Sequence, residues 1–153
     1  MKNPRAKLPA CPSARFDPLT PEQRRLTMSR VRSKDTRPEM VVRRLIHRMG
    51  FRFRLHRRDL PGNPDIVLSR FRCIVMVHGC FWHHHRCKHG RKIPRSNQLY
   101  WLPKIEKTVQ RDKRNRRDLQ RLGWSILTVW ECQLKNKEFV RKRIERFLGD
   151  RQT

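Results

Sequence analysis

Residues 73–87 read Cys73-Ile74-Val75-Met76-Val77-His78-Gly79-Cys80-Phe81-Trp82-His83-His84-His85-Arg86-Cys87. The first five positions are continuously apolar, which suits a central strand covered on both faces. The ten that follow hold two thiols, four imidazoles and two large aromatic rings. Thiolate and imidazole are the preferred ligands of zinc, so a buried strand is predicted to run straight into a metal-stapled loop. A Phe-Trp pair between ligands is a poor choice for a solvated turn. Rings held out on a rigid loop can instead be pushed between stacked bases.

Working outward, the period of the sequence assigns the remaining elements. Asp65-Ile66-Val67-Leu68 is a second apolar run, linked to the first by Ser69-Arg70-Phe71, and Leu60-Pro61-Gly62-Asn63-Pro64 is a turn cluster before it. Phe51, Phe53 and Leu55 alternate with Arg52, Arg54 and His56, the pattern of a half-buried strand. Thr20-Pro21-Glu22-Gln23 opens a helix running to the neighbourhood of Arg32. Thr36, with Glu39 three residues on, opens another; Val42, Leu45, Ile46 and Met49 share its inner face and Gly50 stops it. Downstream, a basic helix is predicted over 98–122, a strand over 124–130 running into Glu131-Cys132, and a helix over 137–148 with Phe139, Ile144, Phe147 and Leu148 inward. This order predicts an α/β fold, a mixed sheet between helices. Residues 1–18, with four prolines and four basic groups, read as a flexible basic arm, which leaves 19–153 as a single domain.

Charge restricts the partner. The chain carries 39 Lys and Arg against 13 Asp and Glu, a net charge of +26, so it repels itself and calls for a polyanion. Nucleic acid fits better than membrane, because no apolar run approaches the roughly 18 residues of a spanning helix. The first residues lack the apolar core of a secretory signal. The expected home is therefore intracellular, where disulfides are unusual, and an odd count of five cysteines agrees. Charge alone also admits a basic structural protein.

Two constellations carry chemistry. Cys80 and Cys87 flank His83, His84 and His85; if two Cys and one His bind zinc, one ligand of the tetrahedron is missing. Cys132, at a strand end, is the best candidate for it. Cys73 lies inside an apolar run and reads as core. Three or four protein ligands leave little room for substrate, so the metal is structural. The second constellation begins at Asp65, which opens one central strand while the next ends at His78-Gly79. A carboxylate at the start of one strand and polar groups at the end of its neighbour is the layout of nucleases that set Mg²⁺ against a phosphate. The Glu-x-Lys that normally completes such a site is absent. His78 and His83 can replace the missing acid and base. Read alone, Asp65 is a strand-cap aspartate and Glu39 a helix-box residue.

Leu60-Pro61-Gly62-Asn63-Pro64-Asp65, the run from His78 to Cys87, and Val129-Trp130-Glu131-Cys132 together resemble the very short patch repair (Vsr) endonucleases of bacteria, from about Met28 to the last helix. The resemblance implies a restriction-endonuclease-like fold and a Mg²⁺-dependent, strand-specific nick beside the thymine of a T·G mismatch left by deamination of 5-methylcytosine. It implies that Asp65 and the backbone carbonyl of Val77 hold the Mg²⁺, that His83 transfers the proton of the attacking water, and that His78 and Glu39 support it. Cys80, His85, Cys87 and Cys132 would be the Zn²⁺ ligands. Phe81, Trp82 and Trp101 would form the wedge that enters the duplex, with Met28 pressing from the minor groove. The implied setting is a monomer in the bacterial cytoplasm, at the nucleoid, with mismatched duplex DNA as substrate and mismatch-repair and repair-polymerase proteins as partners. The family commonly has Thr where Val77 stands; a carbonyl survives that change, and the hydroxyl is lost. Without the resemblance, the same features suit a zinc-stapled, non-catalytic nucleic-acid binder or a nuclease of this fold with no mismatch preference.

Overall fold

The structure, a computed structural model, describes residues 19–95 and 97–149. The expected arm 1–18, with Cys11, lies outside them. Helices α1 (Pro21–Ser29) and α2 (Arg37–Arg48) precede strands β1 (Arg54–Leu55), β2 (Ile66–Leu68) and β3 (Cys73–His78); α3 (Gln98–Arg121), β4 (Ser125–Trp130) and α4 (Lys137–Gly149) follow the Cys/His loop. The sheet order is β1-β2-β3-β4, with β1–β2 and β2–β3 antiparallel and β3–β4 parallel. A parallel pair needs a long crossover, and α3 supplies it.

The apolar run of β3 behaves as a doubly covered strand must. Cys73, Val75 and Val77 face one core with Val42 and Ile46 of α2 and Val140, Ile144 and Leu148 of α4. Ile74 and Met76 face the other with Leu60, Leu119 of α3 and Trp124. The sheet is thus mixed and lies between helices. Because β2 runs against β3 and β4 runs with it, the start of β2 and the ends of β3 and β4 meet at one edge. Asp65, His78, Cys80 and Cys132 all sit there.

Several expectations are corrected. The first helix ends at Ser29, not near Arg32. The strand expected over 51–56 is only Arg54–Leu55, with Leu55 exposed on the sheet edge; Phe51 and Phe53 pack against the core before the strand begins. In α4 the inward row is Val140, Ile144 and Leu148 at four-residue spacing, and Phe139 is exposed. The capping box at Thr20 and Gln23 forms with both reciprocal bonds.

Gly50 and Gly62 both hold a left-handed backbone, φ +85° and +76°. A Cβ on Gly50 would meet nothing within 4 Å, whereas one on Gly62 would lie 2.4 Å from Nδ2 and 3.0 Å from Cβ of Asn115 on α3. Gly50→Ala is therefore expected to lose about 1 kcal/mol of stability through backbone strain alone. Gly62→Ala should lose about 2–4 kcal/mol, because overpacking adds to that strain. Urea melts of the two variants check the difference.

Candidate active site and metal centre

Asp65 precedes β2 and is largely buried. Its Oδ2 accepts the backbone amide of Val77 at 2.8 Å, which fixes the carboxylate against the last turn of β3. Burial pushes this carboxyl up to about 6; the Val77 bond opposes the shift and the nearby Glu39 charge adds to it. A buried carboxylate held above its ordinary range is relieved by a cation, and the bond to Val77 runs through its amide, which leaves its carbonyl out of that contact.

His78 ends β3 and His83 lies in the loop beyond, yet their rings stack 3.8 Å apart at 6°. His83 Nδ1 bonds Oδ2 of Asp112, from α3. The Nδ1–H donates to that carboxylate, so Nε2 is the ring nitrogen that Asp112 does not engage. Burial raises the Asp112 carboxyl, but the His83 bond together with the charges of His83, His78 and Arg111 outweighs it, so the net direction is down. His78 is pushed down to about 4 by burial and by the charge of His83. His78 is thus an uncharged ring at neutral pH. A cavity of about 230 Å³ opens over these groups, lined also by Lys113, Arg116, Thr128 and Trp130.

Glu39 is 3% exposed. Its helix-box role is only partial. The Thr36 hydroxyl accepts the Glu39 amide at 3.4 Å, but the carboxylate does not return to the Thr36 amide; it takes the Thr36 hydroxyl at 2.9 Å, the Asp35 amide at 3.1 Å and Arg43 at 2.9 Å.

Beyond His83 the loop folds back on itself. The Sγ atoms of Cys80, Cys87 and Cys132 and a ring nitrogen of His85 all lie within 4.8 Å of one another. Zinc–sulfur bonds of about 2.3 Å in a tetrahedron put sulfurs about 3.8 Å apart, so the cluster fits one such ion. The amide of Gly90 points at Cys87 Sγ and that of Cys132 at Cys80 Sγ, both at 3.4 Å, as thiolate ligands require. Gly90 has to be glycine here, since a Cβ would lie 2.1 Å from the His85 carbonyl oxygen. The Gly90 bond pulls the Cys87 thiol down to about 6, while burial pushes Cys80 up to about 12. Cys73 is core, as expected. A larger concavity, about 760 Å³, flanks this cluster between Phe81, Ile93, Pro94 and Glu131 and includes none of Asp65, His78 or His83.

The aromatic residues form one group. Phe81 meets Trp82 at 5.0 Å and Trp101 at 5.5 Å, both near perpendicular. Phe81 and Trp82 are half-exposed, while Trp101 is 7% exposed and forms the floor beneath them. Lys104 Nζ lies 5.8 Å from the Trp82 ring, and Arg24 of α1 covers Trp101 at 5.5 Å. Met28 is half-buried on the same short helix as Arg24. Trp130 stacks on His85 at 4.2 Å and meets His78 edge-on at 5.3 Å, joining the two centres.

A protein of Xanthomonas oryzae pv. oryzae named type II nicking enzyme V.XorIIP is 49% identical over 132 residues, 86% of this chain and 96% of its own length. The Escherichia coli DNA mismatch endonuclease Vsr is 43% identical over 111 residues, 72% of this chain and 70% of its own. The chain belongs to the Vsr family. The family model described as DNA mismatch endonuclease Vsr matches residues 16–89, the part that contains Glu39, Asp65 and the whole Cys/His loop. A third relative, type II nicking enzyme V.NmeAIP of Neisseria meningitidis, is 42% identical over 88% of this chain and 95% of its own. As a Vsr-family member the chain is a DNA endonuclease. No helix among its described residues is long and apolar enough to cross a membrane.

Asp112, Arg43 and His56 were not among the residues singled out from sequence. Asp112 stands in a run of Arg and Lys as one of the few acids of α3, which was its only signal; its meeting with His83 depends on how α3 crosses the sheet.

Proposed function

We propose that this chain is a Mg²⁺-dependent enzyme that nicks one strand of duplex DNA beside the thymine of a T·G mismatch, with a structural Zn²⁺ in the Cys80, His85, Cys87 and Cys132 cluster. The observation that carries the reading is the convergence of Asp65, the stacked His78–His83 pair and Asp112 at the sheet edge that also bears the aromatic group. The name of the Escherichia coli relative supports the mismatch substrate. In this reading residues 19–153 form a single restriction-endonuclease-like domain that acts as a monomer in the cytoplasm, with repair proteins as partners.

Asp65 and the Val77 carbonyl would hold the Mg²⁺, which when bound polarises the scissile phosphate and acidifies water beside it. His83 takes the proton of the attacking water at Nε2, and Asp112 steadies the imidazolium that forms, as a carboxylate behind a base does. His78, stacked and neutral, orients His83 without competing for that proton. Phe81 and Trp82 enter the stack from the floor made by Trp101, and Met28 approaches from the opposite groove. A T·G pair is weaker than a matched pair and yields to the wedge at lower cost. The exposed Lys and Arg of α3 follow the phosphates.

The test is a labelled duplex carrying one T·G pair in varied flanking sequence, set against the matched duplex. The expected result is one Mg²⁺-dependent nick, in the strand bearing the thymine. Equal cutting of matched duplex would replace the reading with a nuclease lacking mismatch preference. Tight, salt-sensitive binding with no cutting under any divalent ion would leave a zinc-stapled binder.

A further inference from the structure

Arg43 lies one helical turn beyond Glu39 and is 7% exposed. Its Nη2 donates to Glu39 Oε2 at 2.9 Å, its Nη1 to Asp35 Oδ1 at 2.5 Å, and Nη2 lies 2.8 Å from His56 Nε2. A guanidinium has only donors, so His56 Nε2 must be the acceptor. The three ligand atoms of Asp35, Glu39 and His56 lie within 4.8 Å of one another, a spacing that suits a metal ion. The Arg43 guanidinium reaches all three of these residues.

Three further features set this cluster apart from an ordinary ion pair. Asp35 and His56 both hold left-handed backbone, φ +53° and +45°, so both are strained where they meet Arg43. Arg43 Nε is buried with no hydrogen-bond partner. A buried cation with an orphan donor is a poor way to stabilise a fold, which argues for a role beyond packing. The cluster also adjoins the metal-binding aspartate: the His56 amide points at the Asp65 carbonyl at 3.4 Å, and the Glu39 charge acts on the Asp65 carboxyl.

An ionised carboxylate offers about four acceptor positions. The Thr36 hydroxyl, the Asp35 amide and Arg43 fill three on Glu39, leaving one free. We propose that Arg43 is a positioning residue of the metal centre: a built-in cation that occupies the Asp35, Glu39 and His56 trio in place of a divalent ion and leaves Glu39 with one acceptor position for a water of the Asp65 centre. This rests on the reading of Asp65 as the Mg²⁺ residue.

The test uses the full, zinc-loaded chain and Mn²⁺ as probe, followed by its electron paramagnetic resonance signal, with Arg43→Ala, Arg43→Lys, Glu39→Gln, Asp65→Ala and the Arg43→Ala/Glu39→Gln double variant. Arg43→Ala is expected to weaken Mn²⁺ binding at the Asp65 centre about 10-fold or more, the usual loss when a partner of a metal-orienting group is removed, and any Mn²⁺ taken up by the vacated trio is recognised because it persists in Arg43→Ala/Asp65→Ala. The Mg²⁺ needed for half-maximal nicking should rise in parallel, while duplex binding without divalent ion changes less than about 2-fold. The double variant should lose no more than the worse single one, since both act through the same carboxylate. Arg43→Lys, which keeps charge but cannot reach three partners, should lie between, and it serves in place of Arg43→Ala if that variant does not fold. Unchanged Mn²⁺ affinity in the Arg43 variants, or additive losses in the double variant, would overturn the proposal. Should Asp65→Ala bind Mn²⁺ like the parent chain, the metal reading itself falls and takes this inference with it.

Discussion

Asp65→Asn is expected to abolish nicking and, in the same step, to make the metal-free protein more stable. The asparagine keeps an oxygen to accept the Val77 amide, so the local fold survives. What disappears is a buried negative charge. The carboxyl titrates near 6 in the folded chain against an ordinary 3.8. The folded state therefore holds the proton more tightly than the unfolded state. The contribution of this carboxyl to stability is greatest below about pH 4, declines as pH rises through 6, and stays at the lower level at neutral pH. A shift of about two pH units corresponds to roughly 2–3 kcal/mol. Asp65→Asn should recover that amount at pH 7.5 and nothing at pH 4, read as thermal midpoints in metal-free buffer. Added Mg²⁺ should stabilise the parent chain and leave the variant unmoved, because only the parent gains by binding it. Nicking should fall by at least about a thousandfold, the usual scale for losing a group that stabilises transition-state charge, with mismatch binding retained. A destabilised variant at pH 7.5, or one that still nicks, would remove Asp65 from the site.

That opposition between stability and chemistry also explains which parts of the molecule were legible in the sequence. The β3 run and the inner face of α2, Val42, Leu45, Ile46 and Met49, are dictated by burial, and burial writes a period into the chain. The Cys/His loop was legible because its ligands are crowded into ten residues. Cys132, the proposed fourth ligand, could be placed because β4 ends beside β3 in a parallel pair, and the register aligns Trp130 with His78. What stayed hidden were pairings across elements. Asp112 lies 29 residues from His83 and looks, in one dimension, like a stray acid on a basic helix. Arg43 looks like one of many arginines, and only the approach of His56, just after β1, shows it as a hub. Leu55 was misplaced because an edge strand has an open side that alternation cannot reveal.

Removal of one cysteine from the metal cluster should cost more than removal of any buried apolar side chain of similar size. Cys132 reaches the cluster from beyond β4, so it is the ligand that joins the loop to the sheet; its amide also bonds Cys80 Sγ at 3.4 Å. In Cys132→Ala the loop from 80 to 95 keeps three ligands but loses its anchor. Phe81 and Trp82 then lose the rigidity that intercalation needs, and His83 loses its fixed approach to Asp112. Structural zinc binding is worth on the order of 10 kcal/mol in small domains. Here a separate hydrophobic core shares the load, so a loss of about 3–5 kcal/mol is expected, or a fall of ~10 °C or more in thermal midpoint for a chain of this size. Elemental analysis should find one zinc in the parent chain and little in the variant, with nicking and mismatch discrimination both severely reduced. Cys73→Ala is the matched control. Its thiol is fully buried in the core of β3, so it should lose about 1 kcal/mol to the small cavity and keep its zinc and its mismatch discrimination. Since ligands must shed protons to bind, zinc should also be released on acidification, with a steep dependence because more than one thiol is involved. Equal zinc content in the two variants would show that zinc binding does not depend on Cys132, and no zinc in the parent chain would show that the loop is braced by packing alone.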